Sequence, residues 1–391
     1  MIADGRGLTA LTRQKAISSE IRKINRNLIY HYLYDHPAVT KQELSSSLDM
    51  SMPTITQNLT ELIAQGLVMN TEPLQSTGGR KARTLSINPG AKHAVGIDVT
   101  THNIGAVIVD LAGSIVASKR TQAPFSSTEF YFKGLSTLIE DLIDEAGIDR
   151  ETILGVGLAV PAIISKDGQE LAYASFINFT RGQLRDFAGF IKYPCRFVND
   201  ANAGGFAEFW KNAALRNASE ERGVVYLSVN NSVGGAFLVN GRIFEGDDLR
   251  ASEFGHMTLI PGGHACYCGQ RGCMDAYLGA GRLTDGHQSS LQAFFASLEK
   301  GDPASIARWS EYMDAMAIAV NNLHMALNSD VIIGGHVGGF MAPYIGRLKE
   351  MIARKNPFSM SGSYLKECAY KREATAVGAA MLYISDFMKS I

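Results

Sequence analysis

The 391-residue sequence predicts an α/β protein with a small helical domain at its N-terminus and a larger body of two α/β lobes. Three observations support this fold class: helical spacing of apolar residues near the N-terminus, alternation of β-branched runs with helices after residue 92, and recurrence of that alternation about 130 residues later. We expect a mobile arm over residues 1–19 and the helical domain over residues 20–90. The first lobe should span residues 91–210 and the second residues 211–391, with a C-terminal helix free to pack back onto the first lobe.

Composition and charge narrow the class of protein. Hydrophobic residues make up 46% of the chain and charged residues 19%, an ordinary globular balance. Because no window approaches about 18 consecutive apolar residues and the N-terminal segment lacks an apolar signal region, we expect a cytoplasmic protein without a membrane span. Residues 1–92 carry 11 Lys and Arg against 7 Asp and Glu, whereas the remainder carries 26 against 31. A basic N-terminal domain on an acidic body is typical of a polyanion-binding module joined to a second function.

The N-terminal domain shows the helix signals of a helix-turn-helix. Apolar residues at helical spacing predict a first helix over Asn25–His36. Thr40 and Glu43 form a capping box that predicts a second helix. Pro53 begins a third helix that ends before Gly66. In this arrangement the last helix enters the major groove of double-stranded DNA.

The third helix and the segment after it supply candidate DNA contacts. Short hydrogen-bonding side chains suit base edges and phosphates, and the helix offers Ser51, Thr54, Thr56, Gln57 and Asn58. Residues 67–89 predict a two-stranded wing with a basic, glycine-rich segment, where Arg80 and Lys81 suit phosphates or the minor groove. The alternatives are an ordinary amphipathic helix and a solvated linker.

The body repeats one supersecondary pattern. The first copy has three short strands, a helix, a buried strand (ILGVGLAV) and a final strand (CRFVND). After Gly223 three strands recur, and a long helix (AMAIAVNNLHMAL) leads into the strand DVIIGG. Two such copies imply duplicated lobes with a ligand cleft between them.

A cysteine cluster predicts a metal centre. His256, Cys266, Cys268 and Cys273 follow the spacing H-x9-C-x-C-x4-C. Three thiolates and one imidazole suit a closed tetrahedral zinc site. The alternative is a set of reduced structural cysteines near a chance histidine. We therefore predict a zinc site in a reducing compartment.

A second polar motif lies where a strand opens into a helix. Asn199 and Asp200 begin the sequence NDANAGGFAE, and ligands of α/β lobes collect at the carboxyl ends of strands. An amide beside a carboxylate suits the hydrogen bonding of vicinal hydroxyls. The two side chains also suit a helix N-cap, and both roles are compatible.

These motifs together resemble the ROK family (repressors, open reading frames, kinases), within the actin/hexokinase-like, RNase H-like ATPase superfamily. The most specific element is EFGH…CYCGQRGC over Glu253–Cys273, and the resemblance to the repressor branch covers residues 20–385. It implies that zinc is structural and that His256 directs its second nitrogen toward a sugar. It also implies sugar contacts from Glu253 and from Asp275, where the family usually has Glu. In the kinases of the family, the aspartate at the position of Asp200 is the catalytic base.

The phosphate loops depart from those of the family's kinases. The first usually reads D-x-G-G-T, and here residues 98–102 read DVTTH. The second usually reads G-T-G-x-G-G-G, and here residues 230–236 read NNSVGGA. Each replacement places a side chain where a phosphate oxygen would sit. We therefore expect no kinase activity, with Asp200 retained as a vestigial base that binds the ligand.

These inferences favour a sugar-responsive transcriptional regulator, a repressor of carbohydrate-metabolism genes. A monosaccharide would close the cleft and change the affinity for operator DNA, which requires different sugar affinities in two conformations. Because a helix-turn-helix reads paired half-sites, we expect a homodimer or homotetramer. The alternatives are an ATP-dependent hexose or N-acetylhexosamine kinase and a regulator controlled by a protein partner.

Overall fold

A computed structural model gives the architecture of the chain. It describes residues 6–71, 83–165, 171–174, 188–216, 223–284, 290–358 and 361–391. Within these ranges, each helix is too short or too polar to span a lipid bilayer.

The N-terminal domain consists of three helices and a hairpin. Its helices are α1 (Arg6–Asp35), α2 (Lys41–Ser47) and α3 (Met52–Ala64), and its strands are β1 (Val68–Thr71) and β2 (Thr84–Ile87). The capping box before α2 is present, with the Thr40 side chain accepting from the Glu43 N–H and the Glu43 side chain accepting from the Thr40 N–H. The two strands pair antiparallel, with Val68 opposite Ile87. The predicted wing therefore exists, while its segment over residues 72–82, with Arg80 and Lys81, lies outside the described residues.

Helix α1 begins far upstream of the predicted start. It runs from Arg6, so it includes most of the segment predicted to be an arm over residues 1–19, and residues 1–5 lie outside the described ranges. No proline interrupts residues 6–35, and the apolar periodicity that sets the predicted start is absent from the upstream half. The helix therefore extends beyond the stripe that packs on the domain core.

The strands of the body form two mixed five-stranded sheets and one small hairpin. In chain order they are β3 (His93–Val99), β4 (Asn103–Asp110), β5 (Ile115–Gln122), β6 (Ile153–Val160), β7 (Ala162–Ile164), β8 (Leu171–Ala174), β9 (Cys195–Asn199), β10 (Gly223–Val229), β11 (Val233–Val239), β12 (Arg242–Ile243), β13 (Asp330–Gly334) and β14 (Leu365–Glu367). The first sheet has the order β5-β4-β3-β6-β9 and the second β12-β11-β10-β13-β14. The shared order confirms the predicted duplication.

The helices of the body cover the sheets and join the lobes. Among the described residues they are α4 (Glu129–Glu145), α5 (Asp200–Lys211), α6 (Ala213–Arg216), α7 (Asp275–Leu278), α8 (Leu291–Glu299), α9 (Pro303–Leu327), α10 (Gly335–Gly338), α11 (Ile345–Ala353) and α12 (Ala374–Ser390). Helix α5 follows the last strand of the first sheet yet packs on β10 and β11 of the second. Helix α12 follows the second sheet yet packs on β3 and β6 of the first.

Glycines let α12 approach both the first sheet and α5 closely. A Cβ added at Gly96 or Gly157 would collide with the backbone of α12, and one at Gly378 would collide with the backbone of α5 at Ala203. Only glycine permits backbones to approach this closely. The C-terminal helix therefore lies on the first lobe, and the two crossing helices, α5 and α12, connect the two sheets.

Both crossing helices end against α1. At the end of α12, the Arg26 Nε donates to the Ile391 main-chain oxygen at 2.8 Å, and the Asn27 Nδ2 donates to the Met388 main-chain oxygen at 2.6 Å. Near the end of α5, the Trp210 ring meets the Tyr34 ring edge-on, with centroids 6.2 Å apart. The N-terminal domain is thus packed onto the part of the body that links the lobes.

An ion pair on α6 adds to this junction. The Arg216 Nη2 lies 2.5 Å from an Asp35 carboxylate oxygen, and the two side chains are only 12% and 11% exposed. The Arg216 guanidinium lies 4.9 Å from the centroid of the Tyr34 ring. Removing one partner of a charge pair this well buried is strongly destabilising, because the other charge is left buried and unpaired.

Candidate functional site

A cavity of about 720 Å³, the interlobe cavity, lies between the two sheets. Its polar and charged lining includes Asn199, Asp200, Asn230, Arg250, Glu253 and His256. Four of the five predicted sugar-binding residues therefore line one concave space: Asn199, Asp200, Glu253 and His256. Such a site, mostly preformed and with a few convergent polar groups, is typical of small-molecule binding.

Asp200 is the buried carboxylate of this cavity. It stands at the first position of α5, where its Oδ1 accepts from the Ala201 N–H at 2.9 Å. Burial, followed by the nearby charge of Asp98, raises the pKa of Asp200 from 3.8 to about 7. Near neutral pH its carboxyl group can therefore either accept or donate a hydrogen bond.

Asn199 lines the cavity but is largely committed to the backbone. Its Oδ1 accepts from the Asn202 N–H at 3.0 Å, which makes it the N-cap of α5. Its Nδ2 donates to the Ala162 main-chain oxygen at 3.1 Å. The N-cap role is thus realised, and one N–H and one lone pair of the amide are left for a ligand.

Asp275 departs from its expected role. It is 8% exposed, and its Oδ2 accepts from the Val233 N–H at 2.6 Å. Among the described residues that line the interlobe cavity, Asp275 does not appear. Because Asp is one methylene shorter than the Glu usual in the family, its carboxylate binds the backbone at the start of β11 instead of reaching the cavity.

The four predicted metal ligands form one cluster. The donor atoms of His256, Cys266, Cys268 and Cys273 all lie within 4.8 Å of one another. The Cys268 and Cys273 Sγ atoms are 3.7 Å apart, and the Cys266 Sγ lies 3.9 Å from the His256 Nδ1. A tetrahedron with metal–sulfur bonds of about 2.3 Å has edges of about 3.8 Å, so the donor set fits a tetrahedral metal ion.

The loop that holds these ligands depends on glycine geometry. Gly269 and Gly272 have φ of +87° and +86°, in the left-handed region that favours glycine. A Cβ at Gly272 would also collide with the Ile260 main-chain oxygen. These two residues let the chain turn sharply enough to bring three cysteines within eight positions onto one point.

Of the predicted DNA contacts on α3, one lies in the core. Thr56 and Gln57 are exposed, Thr54 is half-buried, and Ser51 is the exposed N-cap of the helix. Asn58 is only 1% exposed, and its Nδ2 donates to the Thr54 main-chain oxygen at 2.9 Å. The prediction of a DNA contact from Asn58 is therefore wrong, because this position follows Ile55 by three residues and shares its buried face.

The first phosphate-loop position holds an ion pair. In the sheet, Asp98 pairs with Gly105 and Gly105 pairs with Arg120, so the three lie in line across β3, β4 and β5. The Arg120 Nη2 reaches over Gly105 to within 3.3 Å of the Asp98 Oδ2. A Cβ at Gly105 would lie 2.8 Å from that nitrogen, so glycine provides the passage.

The second phosphate-loop position is filled by side chains that bind the loops themselves. The Asn230 Oδ1 accepts from the His336 N–H at 2.8 Å, and its Nδ2 donates to Ser228 Oγ at 3.1 Å. A phosphate at the start of α10 would need the main-chain N–H of His336. That N–H is already bound by the Asn230 side chain. Beside these residues lies a second cavity of about 340 Å³, the adjoining cleft, lined by Asp98, Thr100, Asn230, His336 and Arg372.

The residues at the site that were not predicted include Arg120, Arg250 and Tyr267. Aligning the three consecutive strands of the first sheet by their pairing register would have predicted the position of Arg120. The register places Arg120 opposite Gly105, which is itself opposite Asp98. Tyr267 lies between two cysteines of the cluster that could hold a metal ion, and it lines both the interlobe cavity and the adjoining cleft. Its position depends on the folded loop, so spacing alone offers no signal for it.

Comparison with known proteins relates the sequence to sugar-responsive regulators. It is 24% identical over 380 residues to the xylose repressor of Bacillus subtilis strain 168, covering 95% of this chain and 97% of that repressor. It is 21% identical over 256 residues to the DNA-binding transcriptional dual regulator NagC of Escherichia coli K12, covering 65% of this chain and 62% of that regulator.

Solved structures share the fold. A ROK family transcriptional regulator, a homologue of the Escherichia coli MLC protein, aligns with a TM-score of 0.72 at 18% identity over 95% of this chain and 97% of its own. The ROK hexokinase from Thermus thermophilus aligns with a TM-score of 0.58 at 25% identity over 75% of this chain and 99% of its own. The predicted α/β fold, a two-lobed actin/hexokinase-like body behind an N-terminal helical domain, is confirmed. The ROK family model matches residues 94–386, and the chain belongs to that family.

Proposed function

We propose that the chain is a sugar-responsive transcriptional repressor that binds double-stranded DNA and has no kinase activity. One observation carries this proposal: a helix-turn-helix with a wing is packed directly onto the helices that join the two lobes around the interlobe cavity. Full-length similarity to the Bacillus subtilis xylose repressor supports it. We also propose the domain limits predicted from the sequence: residues 20–90 for the N-terminal domain, 91–210 for the first lobe and 211–391 for the second lobe.

The effector is a monosaccharide bound in the interlobe cavity. Asp200, Glu253 and His256 face the space and offer two carboxyl groups and an imidazole to sugar hydroxyls. Asn199 orients the start of α5 and contributes its remaining N–H. Asp275 acts indirectly: its carboxylate binds the main-chain N–H of Val233, a residue that lines the cavity.

Zinc is the metal that best suits the cluster. His256 and the three cysteines would hold it, with the His256 Nδ1 on the side of the Cys266 sulfur. When bound, the ion supplies structural cross-linking of the loop and no chemistry of its own. The chain's own contribution is to orient His256, whose other nitrogen, Nε2, is left for hydrogen bonding.

The DNA contacts are assigned to α3 and the wing. Thr56 and Gln57 are exposed on α3, and Ser51 and Thr54 lie at its start, where they suit bases and phosphates. Arg80 and Lys81 remain proposed contacts of the wing segment. The chain forms a homodimer or homotetramer, in which two copies related by two-fold symmetry bind the two half-sites of the DNA operator.

Effector binding reaches the DNA-binding domain through the crossing helices. Helix α5 carries Asp200 at one end and Trp210 near the other, and Trp210 contacts Tyr34 of α1. Closure of the lobes changes the relation between α5 and α12, and the ends of both lie against α1. A sugar that binds the two lobe arrangements with different affinities therefore shifts the population of DNA-binding conformations.

The absence of kinase activity rests on the phosphate loops. Arg120 already neutralises Asp98, and Asn230 already occupies the His336 N–H. A nucleotide would have to displace both contacts. This is the physical reason why a retained Asp200 does not imply phosphoryl transfer.

A second candidate function, an ATP-dependent hexose or N-acetylhexosamine kinase, is favoured by Asp200 itself. A buried carboxyl group whose pKa is raised to about 7 has the properties of a general base. Sugar-dependent release of ADP from Mg·ATP, abolished in Asp200→Asn, would establish this function. We expect no release above the sugar-free background.

The proposal is tested by thermal shift of the zinc-loaded protein against a monosaccharide panel that includes D-xylose, D-glucose and N-acetyl-D-glucosamine. Because ligand stabilisation follows RT ln(1 + [L]/Kd), millimolar sugar with a micromolar Kd contributes about 4 kcal/mol. At least one sugar should stand out. A panel without a response would contradict the assignment of the interlobe cavity to a monosaccharide.

A further inference from the structure

Tyr267 occupies the boundary between the interlobe cavity and the adjoining cleft. Its side chain is 55% exposed and lines both spaces. It stands between Cys266 and Cys268, two of the four residues that could hold a metal ion. Its position at the cavity wall is set by this loop and not by packing in a hydrophobic core.

The hydroxyl group of Tyr267 contacts the metal-ligating histidine. The Tyr267 Oη lies 3.2 Å from the His256 Nε2, and the two rings meet edge-on at 70° with centroids 5.3 Å apart. The other ring nitrogen, Nδ1, faces the Cys266 sulfur. The imidazole therefore has one nitrogen on the metal side and the other directed to Tyr267 at the cavity.

The ring lies between two chemically different spaces. Glu253 and His256 line only the interlobe cavity, Thr100, His336 and Arg372 line only the adjoining cleft, and Asp200 lines both. A monosaccharide ring presents apolar C–H faces as well as hydroxyl groups. An aromatic face suits the former, and the carboxyl and imidazole groups suit the latter.

We propose that Tyr267 contacts the effector and determines which sugars fit, by providing one wall of the sugar site and closing it from the adjoining cleft. In the free protein its hydroxyl group holds the His256 Nε2, and a sugar hydroxyl replaces it on binding. The ring then packs on the apolar face of the sugar. This inference rests on the proposed function, because it requires a monosaccharide in the interlobe cavity.

Three variants separate the parts of this role. Tyr267→Phe keeps the wall and should hold sugar affinity within about threefold, since the lost hydroxyl competes with the sugar for His256. Tyr267→Leu keeps an apolar side chain but loses the aromatic face, and should weaken the sugar that best stabilises the wild type about tenfold. Tyr267→Ala removes the wall, and should also admit the disaccharides maltose and lactose, which the wild type rejects.

Tyr277→Leu is the matched control. Tyr277 lies close to the same metal loop, and its hydroxyl group accepts from the His264 N–H at 2.9 Å, but it lines neither cavity among the described residues. This variant should leave sugar affinity and selectivity unchanged. Zinc content, measured for all four variants, reports on the integrity of the loop independently of sugar binding.

The experiment is a calorimetric titration of each zinc-loaded variant with the panel sugars, maltose and lactose. Wild-type affinity together with a tenfold loss in Tyr267→Leu and gained disaccharide binding in Tyr267→Ala supports the inference. Unchanged affinity and selectivity in both variants overturns it while leaving the proposed function intact. Loss of zinc from Tyr267→Leu and Tyr267→Phe alike would also overturn it, because Tyr267 would then be a structural residue of the loop. A wild type that binds no sugar would remove the proposed function and this inference together.

Discussion

The Nε of Arg26 in α1 lies 2.8 Å from the main-chain oxygen of Ile391, the last residue of the chain. The Nη1 of the same guanidinium lies 2.8 Å from a carboxylate oxygen of Glu61 in α3. A single side chain therefore joins the end of α12, which lies on the first sheet, to the helix proposed to read DNA. The two contacts connect parts of the chain separated by more than 300 residues.

We predict that Arg26→Ala uncouples the domains. Sugar affinity should be unchanged, because Arg26 is remote from the interlobe cavity, while the sugar-induced change in operator affinity should fall severalfold. The pair with Glu61 is partly exposed, so the loss of stability should be modest, about 1 kcal/mol. Operator binding measured by fluorescence anisotropy, with and without sugar, checks this. Lys133→Ala breaks an exposed ion pair with Glu129 and is the control. If Arg26→Ala keeps the full sugar response, Arg26 does not carry the coupling between the cavity and the N-terminal domain.

The Arg216–Asp35 pair should matter more for stability. Because both side chains are nearly buried, Arg216→Met leaves the Asp35 carboxylate without its partner and should destabilise the protein by about 3–5 kcal/mol. The double variant Arg216→Met with Asp35→Leu should recover much of this loss, since two apolar side chains replace the pair. Thermal unfolding of the three variants measures the effect. Equal stability of wild type and Arg216→Met would show that the pair contributes nothing.

The assignment of the metal ligands can be tested without a sugar. Cys266→Ser or Cys268→Ser should lower bound zinc from one equivalent to a small fraction and reduce the melting temperature, because a hard hydroxyl replaces a thiolate ligand. Cys195→Ser, outside the cluster, should keep full metal content. Elemental analysis of the purified proteins distinguishes the outcomes. Full zinc content in Cys266→Ser would refute the ligand assignment.

On α3, the neighbouring residues Gln57 and Asn58 should respond differently to substitution. Gln57→Ala removes an exposed side chain and should weaken operator binding by about 1–3 kcal/mol with unchanged stability. Asn58→Ala removes a buried hydrogen bond within α3 and should cost about 1 kcal/mol of stability. Anisotropy and thermal unfolding of both variants separate the two effects. Operator affinity insensitive to Gln57→Ala would remove it from the contact surface.

The raised pKa of Asp200 predicts a pH dependence. Its pKa is 3.8 in the unfolded chain and about 7 in the folded protein, so the folded state binds more protons between these values. Stability contributed by this group therefore falls as pH rises from about 4 to 7 and levels off above, by up to about 1.4 kcal/mol per pH unit. Asp200→Asn should remove this slope. Urea unfolding from pH 5 to 8 compares the two proteins, and parallel curves would show that Asp200 titrates normally.

Local sequence signals predict most of the fold. The recurrence of β-branched runs predicts both sheets, because central strands buried on two faces must be apolar throughout. The capping box before α2 and the spacing of His256 and its cysteines depend only on neighbouring residues, and both appear in the structure.

The features that were not predicted come from distant contacts or from incomplete use of periodicity. The contact of Arg26 with Ile391 joins residues that are far apart in the sequence, and no local pattern contains it. Tyr267 reaches its position beside the two cavities only when the loop over residues 266–273 is folded. The misassignment of Asn58 was avoidable, because Ile55, Asn58 and Leu62 follow the i, i+3, i+7 spacing of one buried helix face.

The most direct test of the account measures operator affinity of the zinc-loaded, full-length protein by fluorescence anisotropy, with and without the sugar that most stabilises it. The account predicts a Kd for operator DNA that changes at least tenfold on addition of the sugar, and a much smaller change in Arg26→Ala. An operator Kd that is the same with and without a sugar that demonstrably binds would contradict the coupling of the interlobe cavity to the DNA-binding domain.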